Sequence, residues 1–459
     1  MTLKDMIDQI SSRLSPQHFS TNPSDLMAVS RDESSLEGQL PAILTYPTST
    51  EDISFLMNLA NHYRVQVTAR GAGSSLEGNS IPEPGGMVID LSHMNRVISI
   101  RENDLQVTVE PGVIYKTLNE SLKSYGLFFP PSPGGSSDIA TIGGMVSTNA
   151  SGIYSVKYGA TRDYILKLKM VAASGDIYEF GSHSVKSSSG YNLVGLICGS
   201  EGTLGIISEI TLKLSGLPES NKKLTYQFTS ERDAVLAIAD MMKYALNVAA
   251  LEFLDSNCIT ALNLLNSYGL NEKPTIFIEL QGTESGIEET ESYISSICDD
   301  FGGQLTLLAD GQNPWAIRHH TTTAIKLRKK DHRIIRNDIA FPISKLPDVV
   351  EYCYDRANKE KLLIHTFGHV GLGILHVLIL ADPSSEREWS KAQSLNSSII
   401  NYAIDRGGTT SGEHGIGLSL RPHMEKEHGT ALQLMRGIKK LFDPNNILNP
   451  SKIFPSTNP

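Results

Sequence analysis

The chain has 459 residues, with 40 Lys and Arg against 50 Asp and Glu and a formal net charge of −10. At roughly 150 residues per domain, this length predicts two or three domains, each large enough to bury a core. The charged residues are spread along the chain, and the negative net charge argues against a large basic surface that could neutralise the phosphates of a nucleic acid. We therefore expect no nucleic-acid partner. The four cysteines lie far apart, which excludes a cysteine-based zinc or iron–sulfur motif. Isolated thiols and a charged, non-apolar start indicate a reducing, cytoplasmic location.

The first part of the chain predicts short helices and strands separated by glycine-rich turns. We expect Thr50 to cap a helix, residues 64–69 to form a strand, and a later helix to end at Gly126. Ser174 and Gly175 mark the turn of a hairpin. A Pro/Gly break near Leu217 then sets the first domain boundary, so residues 1–217 are predicted to form one domain.

The second part of the chain changes to a strand–helix–strand pattern from about residue 221. This alternation predicts an α+β arrangement, with a sheet covered by helices on one face. We assign residues 218–420 to this second domain. Residues 421–459 are predicted to form a helical segment with a turn-rich tail that returns to the first domain.

Residues 362–381 contain no charged side chain and have the length of a membrane-spanning helix. They also contain His365, His369 and His376, which would be costly in lipid. The segment therefore predicts a buried pair of strands instead of a membrane helix.

Four glycine-rich loops of the first domain expose main-chain groups. Residues 70–78, RGAGSSLEG, follow a predicted strand as a phosphate-binding loop does, although a tight turn between strands is the alternative. The loop is not a Rossmann fingerprint, because Leu76 occupies the third glycine position and prolines follow instead of a helix. With the loops at 133–135, 141–152 and 199–205, it predicts a site for one long, mostly uncharged ligand such as a dinucleotide.

These loops resemble a known flavoprotein family. The motifs RGAGSSLEG, VEPGV, PPSPGG, TIGGMVSTNASG, KYGATRD and GSEGTLGII are similar to those of the family that includes vanillyl-alcohol oxidase and the D-lactate dehydrogenases. The resemblance implies an α+β fold with a two-subdomain FAD domain of the vanillyl-alcohol-oxidase type, a cap domain with an antiparallel sheet for substrate, and a helical C-terminal segment. It implies non-covalent FAD, since Ser74 stands where members with covalent flavin often carry His. The implied FAD-binding residues are Arg70, Gly71, Ala72, Gly73, Ser74, Ser75, Gly78, Pro133, Gly134, Thr141, Gly143, Gly144, Thr148, Asn149, Ala150, Gly152, Glu201, Gly202, Gly205, Ile206, Ile207 and Lys452.

A second group of candidates combines histidines with a carboxylate. His369 and His376 are an odd number of positions apart, so they converge only if the chain bends at the glycines between them. Glu413 and His414 lie in the loop SGEHGIG. Two imidazoles and one carboxylate suit Zn²⁺ or a similar divalent ion. Buried histidines bonded to main-chain carbonyls are the alternative.

The motifs GHVGLGILH, SGEHGIG and LFDPNNILNPSKIF resemble the C-terminal half of the D-lactate, glycolate and D-2-hydroxyglutarate dehydrogenases. The resemblance implies that His369, His376 and Glu413 bind a divalent metal, with zinc expected, and that His414 is the catalytic base. The chain departs from the family motif HxGDGNxH at Leu372 and Ile374, where members have Asp and Asn. Leu378 replaces an Asn typical of members that oxidise 2-hydroxyglutarate, which favours a short, apolar 2-hydroxy acid.

The substrate carboxylate also needs a cation. Residues 315–318, followed by Thr322, resemble the family's WxxR segment, which implies that Arg318 binds the carboxylate and takes part in catalysis, with Thr322 beside it. Arg336 is a second candidate substrate ligand. For each arginine the alternative is a structural ion pair.

Together these features predict FAD-dependent oxidation of a short D-2-hydroxy acid, of the D-lactate or glycolate type, to the 2-oxo acid. The metal would assist deprotonation by His414, and the hydride would pass to flavin N5. Two alternatives remain, a D-2-hydroxyglutarate dehydrogenase and a metal-free flavin-binding subunit of a redox complex. The electron acceptor would be a quinone, a cytochrome or an electron-transfer flavoprotein. We expect a homodimer, and peripheral contact with the inner membrane stays open.

Overall fold

The computed structural model describes residues 2–244, 246–309 and 311–455. The chain forms two compact units. Unit 1 consists of Met1–Ser151, Ala160–Leu217 and Glu413–Pro459, and unit 2 consists of Gly152–Gly159 and Pro218–Gly412. The sequence places domain boundaries after residues 217 and 420, whereas the units divide after Leu217 and again after Gly412, and unit 2 includes a short segment from the first part of the chain.

The helices and strands are numbered in chain order. The helices are α1 (Leu3–Arg13), α2 (Pro23–Ala28), α3 (Thr50–Tyr63), α4 (Tyr115–Leu122), α5 (Ile142–Thr148), α6 (Ser155–Tyr158), α7 (Leu193–Ile197), α8 (Glu231–Met241), α9 (Ser256–Leu265), α10 (Glu284–Asp300), α11 (Pro314–His319), α12 (Thr321–Arg328), α13 (Leu346–Glu360), α14 (Glu386–Ile404), α15 (Met424–His428) and α16 (Ala431–Phe442). The strands are β1 (Phe19–Ser20), β2 (Ile43–Thr45), β3 (Val67–Arg70), β4 (Met87–Asp90), β5 (Val97–Arg101), β6 (Gln106–Val109), β7 (Leu127–Phe128), β8 (Ile165–Val171), β9 (Ile177–Gly181), β10 (Ile206–Lys213), β11 (Ser215–Gly216), β12 (Ser220–Gln227), β13 (Val248–Leu254), β14 (Thr275–Gly282), β15 (Gln304–Leu305), β16 (Arg333–Ala340), β17 (Leu363–Gly368) and β18 (Ile374–Ala381).

Unit 1 contains a small mixed sheet in the order β1-β2-β4-β3, in which β4 runs parallel to both β2 and β3. Helix α3 contributes buried apolar side chains such as Leu56 to the core beside this sheet. The helix begins one residue earlier than predicted, because Ser49 is the N-cap and its hydroxyl accepts a hydrogen bond from Asp52 N. Thr50 is the first helical residue, and its hydroxyl donates instead to Ser208.

Unit 1 also contains an antiparallel sheet in the order β5-β6-β10-β8-β9. Strands β8 and β9 form the predicted hairpin, and Gly175 in its turn has φ +88°. Helix α4 passes into a short 3-10 turn that ends at Gly126 with φ +67°, as predicted. One mixed and one antiparallel sheet in unit 1 agree with the two subdomains expected for the FAD domain.

Unit 2 is built on a seven-stranded antiparallel sheet in the order β15-β12-β14-β13-β17-β18-β16. One face is covered by α8, α10, α13 and α14. Side chains that alternate along the strands bond to these helices, as Tyr226 does to Ser295 and Asn337 to Asn396. The side chains on this face of the sheet therefore pack against the helices that cover it.

The opposite face of this sheet is covered in part by α6, α9, α11 and α12. Leu254, Phe277 and Phe367 of the strands pack there with Trp315 and Ile325 of the helices. The prediction of helices on one face alone was wrong, since α9 packs against β17 and α6 packs against β13 on this opposite face. This second face also carries buried charged side chains, and it is the face of interest for function.

The uncharged stretch at 362–381 forms β17 and β18, which pair as an antiparallel hairpin. The predicted buried strand pair is confirmed. Among the described residues, no helix combines the length and the apolar character needed to cross a bilayer.

Candidate functional site

The loop after β3 in unit 1 presents main-chain donors. Within the described residues, the N–H groups of residues 71–75 donate to no protein acceptor, although the loop is only partly exposed. Main-chain N–H groups that lie together without a protein acceptor can donate to an anionic group of a ligand. Such a loop is suited to the pyrophosphate of a dinucleotide, the ligand that the family resemblance implies at this position.

Two other glycine loops of unit 1 lie beside β3 and the loop that follows it. A Cβ at Gly71 would lie 2.3 Å from Thr141 Oγ1, and a Cβ at Gly202 would lie 3.9 Å from Ala69 Cβ. Thr141 is the N-cap of α5, and Gly202 precedes β10. Three of the predicted glycine loops therefore lie together in unit 1, which fits a ligand as long as FAD.

The remaining predicted cofactor residues occupy loop and helix positions around these approaches. Strand β3 ends at Arg70, and the loop after it contains Ala72, Gly73, Ser74, Ser75 and Gly78. A 3-10 turn begins at Pro133 and Gly134. Helix α5 contains Gly143, Gly144 and Thr148 and is followed by Asn149 and Ala150, while Gly205 precedes β10, which begins with Ile206 and Ile207. A Cβ at Gly143 would lie 2.6 Å from Pro111 Cβ, and a Cβ at Gly205 would lie 2.3 Å from Met170 Sδ. Packing within the protein requires glycine at position 143, where the Pro111 carbonyl oxygen is 2.9 Å from such a Cβ, whereas a Cβ at Gly205 would displace the Met170 side chain.

Gly152 belongs to unit 2, unlike the other predicted cofactor residues. This glycine begins the segment 152–159, which forms hydrogen bonds to the face of the unit 2 sheet that carries the buried charged side chains. Tyr158 donates to the Gln281 side chain at 2.8 Å, and Lys157 donates to the Gln281 carbonyl at 3.0 Å. Tyr154 lies 3.5 Å from the carboxylate of Glu279. The chain therefore passes from unit 1 to unit 2 within the glycine loop around residue 150.

Glu201, one of the predicted cofactor residues, is bonded to the loop that contains His414. It is buried with φ +52°, and its carboxylate accepts from Ile416 N at 2.7 Å and Gly417 N at 2.9 Å. The Asn79 amide donates to it at 2.7 Å. Burial raises the pKa of Glu201, and these three donors oppose that increase. Glu201 thus orders the SGEHGIG loop.

Lys452 is buried in unit 1, and its Nζ donates to the Ile81 carbonyl at 2.8 Å. Burial lowers the pKa of this lysine to about 8, although Glu83 opposes the shift. A lysine whose pKa lies this close to neutral pH, near the glycine loops, is compatible with the cofactor role that the resemblance implies.

His414, the predicted base, lies beside two carboxylates of unit 1. Its Nδ1 is 3.6 Å from Glu77 Oε1, and its Nε2 is 3.9 Å from Glu413 Oε1. Glu77 is buried and also accepts from the Ser419 hydroxyl. Ser151 donates to Glu413 Oε2 at 2.7 Å. The two carboxylates would stabilise the imidazolium that forms when His414 accepts a proton.

In unit 2, the histidines of the predicted metal site converge through a hairpin. His369 follows β17, residues 370–372 form a 3-10 turn, and Gly373 with φ +74° leads into β18. The rings of His369 and His376 lie edge to face with centroids 5.3 Å apart. The predicted bend at the glycines is confirmed, and it brings the two imidazoles together.

Asp338 is a further candidate ligand that the sequence reasoning missed. It pairs in register with His376 across β16 and β18, and its Oδ1 lies 3.3 Å from His376 Nδ1. Its Oδ2 accepts from the Ser411 hydroxyl at 3.1 Å, and Gly412 N donates to its carbonyl at 2.6 Å. Both Asp338 and His376 belong to a group of acidic and histidine side chains placed closely enough to hold a metal ion. The sequence around it, RIIRNDIA, mixes charged and apolar residues and gave no clear signal of a metal ligand.

Glu252 is a second missed residue, and it is fully buried on β13. Its Oε1 lies 2.5 Å from His369 Nδ1, and its Oε2 accepts from Arg318 Nε at 2.7 Å. Burial raises the pKa of Glu252, but His369 and Arg318 outweigh burial and hold the pKa below its usual value. The carboxylate is therefore ionised, with His369 on one oxygen and the Arg318 guanidinium on the other.

Arg318 lies on α11 and is held on two sides. Glu252 binds its Nε, and the guanidinium stacks over the Phe367 ring at 4.5 Å. Among the described residues, its two η nitrogens have no hydrogen bond to the protein. Arg318 is thus both a structural ion pair, the alternative left open by the sequence, and a candidate donor pair for a carboxylate.

The other predicted substrate residues also lie in unit 2. Thr322 is half-buried on α12, and Arg336 is half-buried on β16, opposite Leu378 of β18. Leu372 is partly exposed in the hairpin turn, while Ile374 is buried, and a Cβ at Gly412 would lie 3.0 Å from it. The two apolar departures from the family motif therefore differ in environment.

Comparison with known proteins shows the family of this chain. Residues 41–181 match the FAD binding domain, and residues 217–453 match the C-terminal domain of FAD linked oxidases. The chain belongs to the FAD-linked oxidase family. This FAD-linked oxidase is a D-lactate dehydrogenase-like, FAD-dependent enzyme, as the motifs predicted.

Two curated relatives and one solved structure show the extent of the similarity. A mitochondrial D-lactate dehydrogenase [cytochrome] of Arabidopsis thaliana is 37% identical over 91% of this chain and 74% of its own length. The glycolate oxidase subunit GlcD of Bacillus subtilis is 33% identical over 99% of this chain and 97% of its own length. The structure of p-cresol methylhydroxylase shares the fold with a TM-score of 0.82, at 16% identity over 98% of this chain and 96% of that one.

Proposed function

We propose that this FAD-linked oxidase converts a short D-2-hydroxy acid, of the lactate or glycolate type, to the 2-oxo acid. The observation that supports it most is the array of Arg318, Glu252, His369, His376 and Asp338 on one face of the unit 2 sheet. The relatives named D-lactate dehydrogenase and glycolate oxidase subunit point to the same substrates.

Arg318 binds the substrate carboxylate in this proposal. With Nε–H donating to Glu252, the η nitrogens form the edge of the guanidinium that can donate to two carboxylate oxygens. Phe367 below the guanidinium plane limits its rotation. The substrate would therefore be held in one orientation relative to its reacting carbon.

His414 accepts the proton of the substrate hydroxyl. A histidine titrates near neutral pH, and Glu77 at 3.6 Å from Nδ1 favours the protonated ring. Glu201 and Asn79 hold the loop that carries His414, since Glu201 bonds to two amides and Asn79 donates to the His414 carbonyl at 3.3 Å. Bound FAD supplies the acceptor for the hydride, which leaves the carbon that bears this hydroxyl.

Imidazoles and carboxylates are ligands that suit a divalent ion, and we propose zinc. His369, His376 and Glu413 would hold it, with Asp338 as a further carboxylate beside His376. Glu413 directly follows Gly412, whose amide is bonded to the Asp338 carbonyl. Such an ion supplies Lewis acidity that makes a hydroxyl easier to deprotonate.

Leu378 supports a short substrate. It lies on the same face of β18 as His376, is buried, and packs with Trp315 and Phe367. The distal carboxylate of 2-hydroxyglutarate would need a polar partner at such a position, because an unpaired charge against apolar side chains is costly. We therefore propose D-lactate or glycolate before D-2-hydroxyglutarate.

Anaerobic reduction of the bound flavin tests the proposal. D-lactate or glycolate should bleach the flavin absorbance at least ten times faster than D-2-hydroxyglutarate and faster than L-lactate, on the order of 1.4 kcal/mol in activation free energy. A flavin that no 2-hydroxy acid reduces would contradict the proposal. Because the Arabidopsis relative is named for a cytochrome, oxidised cytochrome c is the first acceptor to assay, ahead of a quinone.

A role as one subunit of a larger redox complex is the second candidate. The Bacillus subtilis relative, which matches almost the whole chain, is itself named a subunit of glycolate oxidase. Turnover by the purified chain with an artificial acceptor would favour an autonomous enzyme. Flavin reduction by substrate without turnover until a partner is added would favour the subunit.

A further inference from the structure

Glu252 contacts both a candidate metal ligand and the candidate carboxylate-binding arginine. Its Oε1 is 2.5 Å from His369 Nδ1, its Oε2 is 2.7 Å from Arg318 Nε, and its side chain is fully buried. Resting on the function proposed above, we propose that Glu252 is a positioning residue that orients His369 toward the metal and Arg318 toward the substrate. It acts through these two side chains without contacting either ligand.

The contact with His369 sets the tautomer of the imidazole. With Nδ1–H donating to the carboxylate, the lone pair of the ring is on Nε2, and the metal bond is made by that atom. The ring is also fixed in rotation, since the edge-to-face contact with His376 adds a second restraint. Glu252 therefore prepares His369 to bind a metal before the metal arrives.

The contact with Arg318 fixes the plane of the guanidinium. Glu252 occupies one edge, and Phe367 occupies one face. A single carboxylate thus sets the spacing between the metal ligand and the carboxylate-binding group. A 2-hydroxy acid, in which hydroxyl and carboxylate are on adjacent carbons, needs both at one fixed separation.

Glu252→Gln tests this role without changing the volume of the side chain. The amide has one accepting oxygen and one donating NH₂ group. If the oxygen faces Arg318 Nε–H, the NH₂ group faces His369 Nδ1, and the ring proton must move to Nε2, which removes the lone pair that binds metal. Zinc affinity should then fall roughly 10–100-fold. In the reverse orientation the NH₂ group opposes Arg318 Nε–H, and KM for D-lactate should rise roughly tenfold or more while zinc is retained.

Glu279→Gln is the matched control. Glu279 is buried on the same face of the neighbouring strand, in register with Ala250. It accepts from Trp315 Nε1, one helical turn before Arg318, and from Gln281. Among the described residues, its hydrogen-bond partners are Trp315, Gln281 and Tyr154, so this variant reports the general cost of removing a buried charge from this face.

The measurements are zinc affinity by equilibrium dialysis of EDTA-treated holoenzyme, flavin content by absorbance, and KM and kcat with D-lactate. Loss of zinc affinity or a raised KM in Glu252→Gln, with normal flavin and a near wild-type Glu279→Gln, supports the proposal. Unchanged zinc affinity and KM in Glu252→Gln, or equal losses in both variants, overturn it. If Glu252→Gln does not fold, Glu252→Asp, which is too short to reach both partners, is measured in its place with the same outcomes.

These outcomes separate the Glu252 inference from the proposed function. If wild-type flavin is reduced by no 2-hydroxy acid, the proposed function fails, yet dialysis still measures whether Glu252 controls zinc binding. If wild type oxidises D-lactate while Glu252→Gln matches it in zinc affinity and KM, the function stands and the role of Glu252 is refuted.

Discussion

Asp338 and His376 lie directly opposite each other on β16 and β18, with Oδ1 and Nδ1 3.3 Å apart. Both side chains are buried, and the hydroxyl of Ser411 bonds to the other oxygen of Asp338. The pair gives the candidate metal site a carboxylate that lies outside its histidine motif. This carboxylate stands in the same region where the motif has lost its own Asp and Asn at Leu372 and Ile374.

We predict that Asp338→Asn lowers zinc affinity by roughly tenfold or more, because a carboxylate beside a ligating histidine raises its basicity and fixes its orientation. Flavin content should stay at the wild-type value. Zinc titration of the EDTA-treated protein measures the effect. Asn337→Ala is the control, since Asn337 is the preceding residue and bonds to Asn396 on the other face. Equal zinc affinity in wild type and Asp338→Asn would remove Asp338 from the site.

The features predicted from sequence are those that depend on neighbouring residues. The glycine loop at 71–75, the hairpin that joins His369 to His376, and the turn at Gly126 are local, and the structure has them all. Glu252 was missed because its partner His369 is 117 positions away and is reached only through the pairing of β13 with β17. A single sequence carries no direct signal of strand register.

Arg318→Lys should raise KM for the hydroxy acid roughly 10–100-fold and leave flavin content unchanged, because lysine cannot replace two parallel hydrogen bonds to a carboxylate. Lysine keeps the positive charge beside Glu252, so the protein should remain folded. Steady-state kinetics with D-lactate provide the measurement. Arg328→Lys on the next helix, where Arg328 bonds to Asn257 and His365, should leave KM near its wild-type value. Similar KM values for both variants would argue against a substrate role for Arg318.

His365 should make unfolding depend on pH in acid. Burial, aided by Arg328, lowers the pKa of His365 from 6.5 to about 3, so between these values the unfolded chain binds a proton that the folded protein does not. The unfolding free energy contributed by this group should fall by about 1.4 kcal/mol for each pH unit below 6.5. His365→Gln, which keeps an acceptor for Arg328, should flatten the denaturation profile between about pH 6 and pH 4. A variant profile as steep as that of wild type would contradict the prediction.

Glu201→Gln should loosen the loop that carries His414. The amide cannot accept from both Ile416 N and Gly417 N, and an unmet buried donor costs roughly 1–3 kcal/mol. We expect a lower Tm and a lower kcat with little change in KM. Glu209→Gln, on the partly exposed β10 position paired with Lys169, is the control and should change Tm little. A normal kcat in Glu201→Gln would show that the loop does not need this carboxylate.

Leu378→Asn should reduce the preference for short substrates. The change introduces a polar group beside His376, and the ratio of kcat/KM for D-lactate to that for D-2-hydroxyglutarate should fall. It should also cost roughly 2–5 kcal/mol of stability, because a buried leucine is lost and an amide is buried in its place. Leu380 is also buried and lies two residues further along β18 on the same face of the sheet. Leu380→Asn should therefore lower the free energy of unfolding by a similar amount without altering the ratio. An unchanged ratio in Leu378→Asn would separate this position from substrate choice.

The chain passes from one unit to the other after Ser151, Gly159, Leu217 and Gly412. Neither unit is therefore a continuous stretch of sequence. A gene fragment ending at residue 217 would encode unit 1 without Glu413–Pro459, which contains His414 and Lys452. An exchange of unit 2 between this protein and a homologue must accordingly transplant two pieces of sequence together, residues 152–159 and 218–412, or unit 2 of the hybrid will combine segments from two different proteins.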